Sequence, residues 1–358
     1  MKKNINLLSL LPVFIALVLS FTSCNLKIND LNSKFSSGVV LVQNASYYEL
    51  ETSIGSIYFA SYDPIEDEVS GLQFDQDSIQ YQLNYGTGFF ISEDGKIATN
   101  KHVVAAEMTE KDAQKLFGRI ISALKAAASD EFDELVSYQQ DVRNQMRYAY
   151  NNNDYTTYQR YDEIDDLIIA RKNELRENYQ IISSVNYRDA ELHYYNEVSI
   201  AYNDTYVTDF DDFEDCVIKS TSDEADLAII QLKNKTTPSS KFIFNVPSDN
   251  PLEKYTVFEK LSKMFGGDKN EKLAMISFNL GPTLAITDEG IKSQINDGSI
   301  SQSSSDRIMY SIPALHGSSG SPVLNRRGQL VAINFLGLNG AQNFNYGIRV
   351  EALYRLLH

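Results

Sequence analysis

His316-Gly317-Ser318-Ser319-Gly320-Ser321-Pro322-Val323 is the stretch on which the reading of this chain turns. The pattern Gly-x-Ser-Gly-x-Pro asks one backbone turn to present the Ser319 hydroxyl while the amides of Gly317 and Ser319 aim at a common spot. That arrangement suits a serine nucleophile facing an oxyanion hole. A run rich in glycine and serine is ordinarily just a polar turn. Glycines on both sides and Pro322 at a fixed offset favour the nucleophile.

A serine hydroxyl is a weak nucleophile at neutral pH and needs an imidazole base steadied by a carboxylate. The chain has four histidines. His102 ends the run Gly86-Thr87-Gly88-Phe89-Phe90-Ile91-Ser92-Glu93-Asp94-Gly95-Lys96-Ile97-Ala98-Thr99-Asn100-Lys101-His102, which reads as two strands around an Asp94-Gly95 turn. A histidine before Val103-Val104 would by itself more often sit satisfied in a core. An acid directly before a short apolar strand occurs in Glu224-Ala225-Asp226-Leu227-Ala228-Ile229-Ile230, which makes Asp226 the expected carboxylate. Asp215, Asp223 and Glu224 lie close enough to compete for the role.

The order His102, Asp226, Ser319 in these contexts resembles the trypsin-like serine peptidases of chymotrypsin fold, and in particular their bacterial Deg/Htr-type branch. In that branch a Gly-[Ser/Thr]-Gly-Phe strand, a Thr-Asn-x-His-Val segment, an Asp-Leu-Ala strand and a Gly-x-Ser-Gly-[Gly/Ser]-Pro turn recur in this order. Phe278-Asn279-Leu280-Gly281 and Tyr346-Gly347-Ile348-Arg349-Val350 extend the likeness towards the C-terminus. The resemblance implies a mainly β fold of two six-stranded antiparallel β-barrels with the active site between them. It implies His102 as general base and then acid, Asp226 fixing its tautomer, Ser319 as nucleophile, and the Gly317 and Ser319 amides as the oxyanion hole. It also makes Pro313, Ala314, Leu315 and His316 one wall of the first specificity pocket, with Asn334, Phe335 and Leu336 opposite.

No acid stands among Ile312-Pro313-Ala314-Leu315, so a buried basic substrate side chain would go unpaired. Small or medium apolar side chains are expected there, and His316 keeps a glutamate-preferring site open. The implied activity is that of a serine endopeptidase working on proteins or peptides through an acyl-enzyme, with no cofactor. The other reading is a lipid-anchored binding protein with catalysis latent. Because the sequence stops soon after Val350, a peptide-binding PDZ module is expected to be absent.

Lys2 and Lys3, an apolar run from Leu7 to Leu19 and small residues before Cys24 have the charge and length pattern of a secretory signal peptide over 1–23. Phe21-Thr22-Ser23-Cys24 resembles a bacterial lipobox, which implies acylation of Cys24 and a lipid-anchored place in the bacterial cell envelope. Ordinary signal-peptide cleavage with a free Cys24 is the alternative. The second cysteine, Cys216, would then have no disulfide partner and reads as a small buried residue on a strand.

Residues 24–38 are polar and read as a tether, 39–250 as the first barrel with a helical insertion over 107–183, and 251–358 as the second barrel. Val39-Val40-Leu41-Val42 and Ile57-Tyr58-Phe59-Ala60 read as its opening strands, and 61–82 as a surface loop. Between 109 and 182 proline never occurs, while Leu116, Ile120 and Leu124, and then Phe132, Leu135, Tyr138 and Val142, recur at helical spacing. Thr109-x-x-Asp112 is a helix start, Asn151-Asn152-Asn153-Asp154 a reversal, and Tyr161, Ile164, Ile168, Leu175 and Tyr179 a returning helix. This hairpin is expected either to pack on itself or to serve as an arm for a protein partner or a lid. With 48 acids against 32 bases the net charge is −16, which disfavours nucleic acid. The acids at Asp209, Asp211, Asp212, Glu214 and Asp215 lack the glycine spacing of a calcium loop, and no Cys/His cluster suggests a metal.

Overall fold

The computed structural model describes residues 26–207, 212–253, 271–335 and 345–358. The signal peptide, Cys24, Asp209, Asp211 and Leu336 lie outside them. A helix, α1 (Ile28–Phe35), precedes strand β1 (Val39–Thr52), β2 (Gly55–Phe59), the short pair β3 (Ser61–Asp63) and β4 (Glu68–Ser70), β5 (Gln82–Phe90), β6 (Lys96–Asn100) and helix α2 (Lys101–Val104). Two long helices follow, α3 (Glu110–Asn151) and α4 (Tyr155–Ser184), before β7 (Glu191–Tyr202), β8 (Glu214–Ser222) and β9 (Leu227–Leu232). The remainder is β10 (Lys272–Ser277), α5 (Pro282–Ala285), β11 (Ile286–Thr287), β12 (Gly290–Ile291), β13 (Gln294–Ser303), β14 (Arg307–Tyr310), β15 (Pro322–Asn325), β16 (Leu330–Phe335), β17 (Asn345–Arg349) and α6 (Val350–Leu357).

Strands β1, β5, β6, β9, β8 and β7 pair in that order and β7 returns to β1, closing a six-stranded barrel, with β2 added outside on β1. Strands β10, β13, β14, β17, β16 and β15 close the second six-stranded barrel. The fold is therefore the mainly β, two-barrel architecture of chymotrypsin type, with α3 and α4 inserted between α2 and β7. Of the two expected opening strands, β1 enters the ring and β2 does not.

Period-two alternation distributes the core. Val40, Val42, Ala228, Ile230 and Leu232 pack with residues of the first barrel alone, whereas Val39, Leu41, Leu227 and Ile229 join Ala274, Ile276, Leu324 and Ile333 of the second. Leu273, Met275, Ile308, Tyr310, Val323 and Val331 fill the second barrel. Residues 28–35 correct the tether reading: they form α1, whose Leu31 and Phe35, one turn apart, are 0% and 3% exposed in the shared core.

The chain divides into two compact units. One comprises Met1–Ala45, Leu83–Ala105 and Asn196–His358, and the other Ser46–Gln82 and Ala106–Tyr195. In the second unit the Tyr48, Leu50, Phe59 and Tyr194 side chains pack on Leu116, Phe117 and Ile121 at the base of α3. Thr109 caps α3 by accepting the Asp112 N–H, as its spacing predicts. Helix α3 runs unbroken through Ser129-Asp130, where neither residue removes a backbone donor, and the reversal comes at residues 152–154, with Asn153 at φ +60°. Between the helices lies a polar layer: Gln139 Nε2 donates to Asp165 at 2.8 Å, and Lys172 Nζ donates to Gln139 Oε1 at 2.9 Å.

Candidate active site

Strand β6 delivers His102 at its end, on α2, and Asp226 stands directly before β9, which pairs with β6 from Asn100 opposite Leu227 onward. Register alone thus brings the two side chains to one end of neighbouring strands. The His102 backbone N–H donates to Asp226 Oδ1 at 3.0 Å, and Nδ1 meets Oδ2 at 2.6 Å. An ionised carboxylate only accepts, so Nδ1 carries the proton and Nε2 keeps its lone pair for a base's work. The pair is a quarter exposed, at 27% for His102 and 23% for Asp226. Asp215 is ion-paired with Lys233 at 2.8 Å and Asp223 with Lys101, while Glu224 is exposed, so these competitors face elsewhere.

Asp226 reaches His102 from a left-handed backbone, φ +46°, a region that costs a non-glycine residue free energy. Its carbonyl is held by two donors, the Lys101 N–H at 3.1 Å and the Asn100 Nδ2 at 2.8 Å. Asn100 is fully buried and was not singled out from sequence, although it lies inside the Thr-Asn-x-His segment.

The turn at 316–319 is gripped through its carbonyls. His316 O accepts from the Leu280 N–H at 2.5 Å, Gly317 O from Thr87 Oγ1 at 2.7 Å, Ser318 O from Asn334 Nδ2 at 2.9 Å and Ser319 O from the Thr87 N–H at 2.8 Å. The N–H groups of Gly317 and Ser319, by contrast, have no hydrogen-bond acceptor among the described residues. With every oxygen drawn away, the turn offers two free donors, as stabilisation of a developing oxyanion requires. Gly317 and Gly320 adopt φ +88° and +87°, and a Cβ on Gly320 would come within 2.1 Å of Thr87 O. Only glycine fits that approach.

Thr87 also accepts the Phe278 N–H on Oγ1 at 3.0 Å, so one fully buried residue of the first barrel fixes two segments of the second. It was likewise missed in the sequence, though it stands in the quoted Gly-Thr-Gly strand. Ser319 is 5% exposed, and no hydrogen bond joins its Oγ to His102 among the described residues. Gly86 packs against both segments: a Cβ added to it would come within 2.6 Å of Val103 Cγ1, next to His102 in the chain, and 3.2 Å of Ser319 O.

Of the expected pocket residues, Leu315 is 52% exposed, and Pro313 and His316 are also exposed, with Ala314 partly covered. The Leu315 N–H donates to Asn279 Oδ1 at 3.1 Å, and Asn345 Nδ2 donates to Ile312 O at 2.6 Å, which fixes this segment. Asn334 differs from an open wall. It is fully buried, its Nδ2 spent on Ser318 and its Oδ1 accepting from Tyr310 at 2.6 Å, and its own N–H and C=O bond Ser321 and Gly320. Burial holds the Tyr310 phenol far above its ordinary pKa, so it stays a donor. Phe335 does face the site, edge-on to the His102 ring at 6.3 Å between centroids, with the Arg307 guanidinium over its ring, 5.7 Å from the ring centre. A cleft of about 510 Å³ continues past Phe335 and Asp226 to Arg307 and Arg355.

The family model for the trypsin-like peptidase domain matches residues 86–333, more than half of the chain, and spans His102, Asp226 and Ser319. The chain belongs to the trypsin-like peptidase domain family. Among solved structures, the serine endoprotease from Yersinia pestis is similar at 12% sequence identity with a TM-score of 0.43, over 92% of this chain and 65% of that one. The chain thus spans less than two thirds of that protein's length. No curated protein matches it.

Proposed function

We propose that this trypsin-like peptidase is a serine endopeptidase working through an acyl-enzyme, with His102, Asp226 and Ser319 as its triad. The two-point grip of Asp226 on His102, at the backbone N–H and at Nδ1, carries this reading, because it leaves Nε2 as the one free ring acceptor. Nε2 takes the Ser319 Oγ proton as Oγ attacks the scissile carbonyl carbon. The carbonyl oxygen, now anionic, is received by the Gly317 and Ser319 amides. The imidazolium then gives its proton to the leaving amine, and water repeats the sequence to release the acid. Apo catalytic contacts commonly tighten only when substrate is bound, in keeping with a Ser319 Oγ that does not bond His102 at rest.

The pocket before the turn carries no acid among Ile312-Pro313-Ala314-Leu315, which supports small or medium apolar side chains at the cleaved position. The leader sequence supports export and anchoring by lipid on Cys24, which would place the enzyme at the cell envelope. Fluorophosphonate labelling tests the activity: capture that vanishes in Ser319→Ala supports it, and no capture with or without an apolar peptide ligand overturns it. Cleavage profiling on a random peptide library tests the pocket, and a dominant preference for Lys or Arg would overturn the apolar reading.

A further inference from the structure

In the second unit, the strands β1, β2 and β7 form a patch of sheet with two unlike faces. One face, Tyr48, Leu50, Phe59, Leu192 and Tyr194, packs on α3. Alternation sends Tyr47, Glu49 and Glu51 of β1, Ser56 and Tyr58 of β2, and Glu191, His193 and Tyr195 of β7 to the other. The register agrees, with Glu49 opposite Tyr58 and Glu51 opposite Ser56. The solvated face of an antiparallel sheet ordinarily carries polar side chains. Here the rings form a connected array. Tyr47 stacks on Tyr195 at 4.9 Å and 16°, meets Tyr81 edge-on at 5.4 Å and lies 6.4 Å from Tyr58. Tyr81 and Tyr195 are 56% and 44% exposed.

The strands that carry these rings and carboxylates contain neither lysine nor arginine. Glu49 accepts from Ser56, Tyr58 and Tyr195; burial works against its ionisation, but these hydrogen bonds and His193 hold its carboxyl below the ordinary range. Among the described residues, the basic side chain paired with Glu51 is His193, 3.3 Å away. The fixed, ionised Glu49 and the electron-rich ring faces favour the same kind of ligand, a cation with flat or extended reach. An anion would be repelled, and an apolar partner would strip water from Glu49 without compensation. The edge of β2 is already taken, Tyr58 and Gln73 exchanging backbone hydrogen bonds of 2.8 and 2.7 Å, so docking by strand addition there is excluded.

We propose that this face docks an extended cationic polypeptide segment, whose Arg or Lys side chains lie on the Tyr81 and Tyr195 rings and pair with Glu49 and Glu51. The face shares no residue with the triad, and its test does not depend on catalysis. Octa-arginine is titrated calorimetrically, at about physiological salt, into the full chain carrying Ser319→Ala. Replacing both exposed rings, Tyr81→Ala with Tyr195→Ala, is expected to weaken binding about tenfold, two cation–ring contacts being lost. Removing two charges elsewhere, Glu163→Gln with Asp166→Asn on α4, is expected to change it less than about twofold. Equal loss in both variants overturns the proposal in favour of general charge attraction. Retention of affinity without the rings overturns it too, as does ring-dependent binding of maltohexaose with none of octa-arginine, which would make the face a glycan platform. Should the double alanine variant not fold, Tyr81→Leu alone carries the expectation of about a threefold loss.

Discussion

Asn100 acts on Asp226 through its backbone, and the consequence is chemical. Without the Nδ2 donor, the left-handed carbonyl of Asp226 keeps only the Lys101 N–H, and the carboxylate loses its fixed aim at His102. Asn100→Ala is expected to lower kcat roughly tenfold, about 1.4 kcal/mol of barrier, with KM nearly unchanged. Steady-state kinetics on an apolar peptide checks this, and a rise in KM alone would contradict it. Because the Asn100 Oδ1 is itself buried without a partner, thermal stability should fall little. Removing the Asp226 carboxylate by Asp226→Asn should cost far more, on the order of 10⁴ in kcat. Cys216, 6% exposed, has its thiol pushed by burial and by Asp215 and Glu214 up to about 12. It should resist iodoacetamide at pH 8 in the folded chain and react on unfolding. At this scale the sequence was legible where a backbone shape is set by immediate neighbours in the chain, as for the turn at 317–320, whose Gly317 and Gly320 adopt φ +88° and +87°. Asn100 and Thr87 were not singled out, because their partners lie 126 and 230 positions away.

Helix periodicity, the Thr109 capping box and the Asn-rich reversal made the insertion readable as a helical hairpin, since each is a local signal. The α1 helix was not readable. Its eight residues hold few apolar side chains, and it forms because Leu31 and Phe35 are buried by distant strands, with the Leu26 N–H donating to Arg326 O at 2.8 Å. The hairpin itself has two parts. Its base, Leu116, Phe117 and Ile121, belongs to a core, while beyond Leu124 the helices bury little except Gln139, Val142, Ala149, Ile168 and Leu175. Excising 126–179 and joining the helices by a short turn should therefore leave cooperative unfolding of the remaining chain intact. Excising 110–184 should abolish it, by exposing Tyr48, Leu50 and Phe59. Calorimetry on the two deletions distinguishes them. Thr109→Ala, which removes one helix cap, should cost about 1 kcal/mol in denaturant unfolding.

Across the whole molecule, the two-barrel plan was legible through a family resemblance carried by four motifs in a set order, whereas the pairing of β7 with β1 had no sequence signal of its own. One network reports on the second barrel's acid tolerance. Arg349 bonds Glu253 and, at 2.7 Å, Glu351, whose carboxyl also accepts from Asn250. Burial opposes ionisation of Glu351, but Arg349 and Asn250 hold its pKa below the ordinary glutamate value. A carboxyl so lowered contributes stability that is complete above its unfolded pKa, near 4.3, and is lost as pH falls through the folded value. Acid unfolding below about pH 4 should thus be less steep in Glu351→Gln, a comparison that circular dichroism makes directly. The last consequence belongs to Thr87, whose single hydroxyl and amide clamp Phe278, Gly317 and Ser319 from across the cleft. Neither half can drift from its fellow without dismantling the reactive loop. A warmed sample should therefore go silent as soon as the halves part, and no sluggish, half-open survivor should linger.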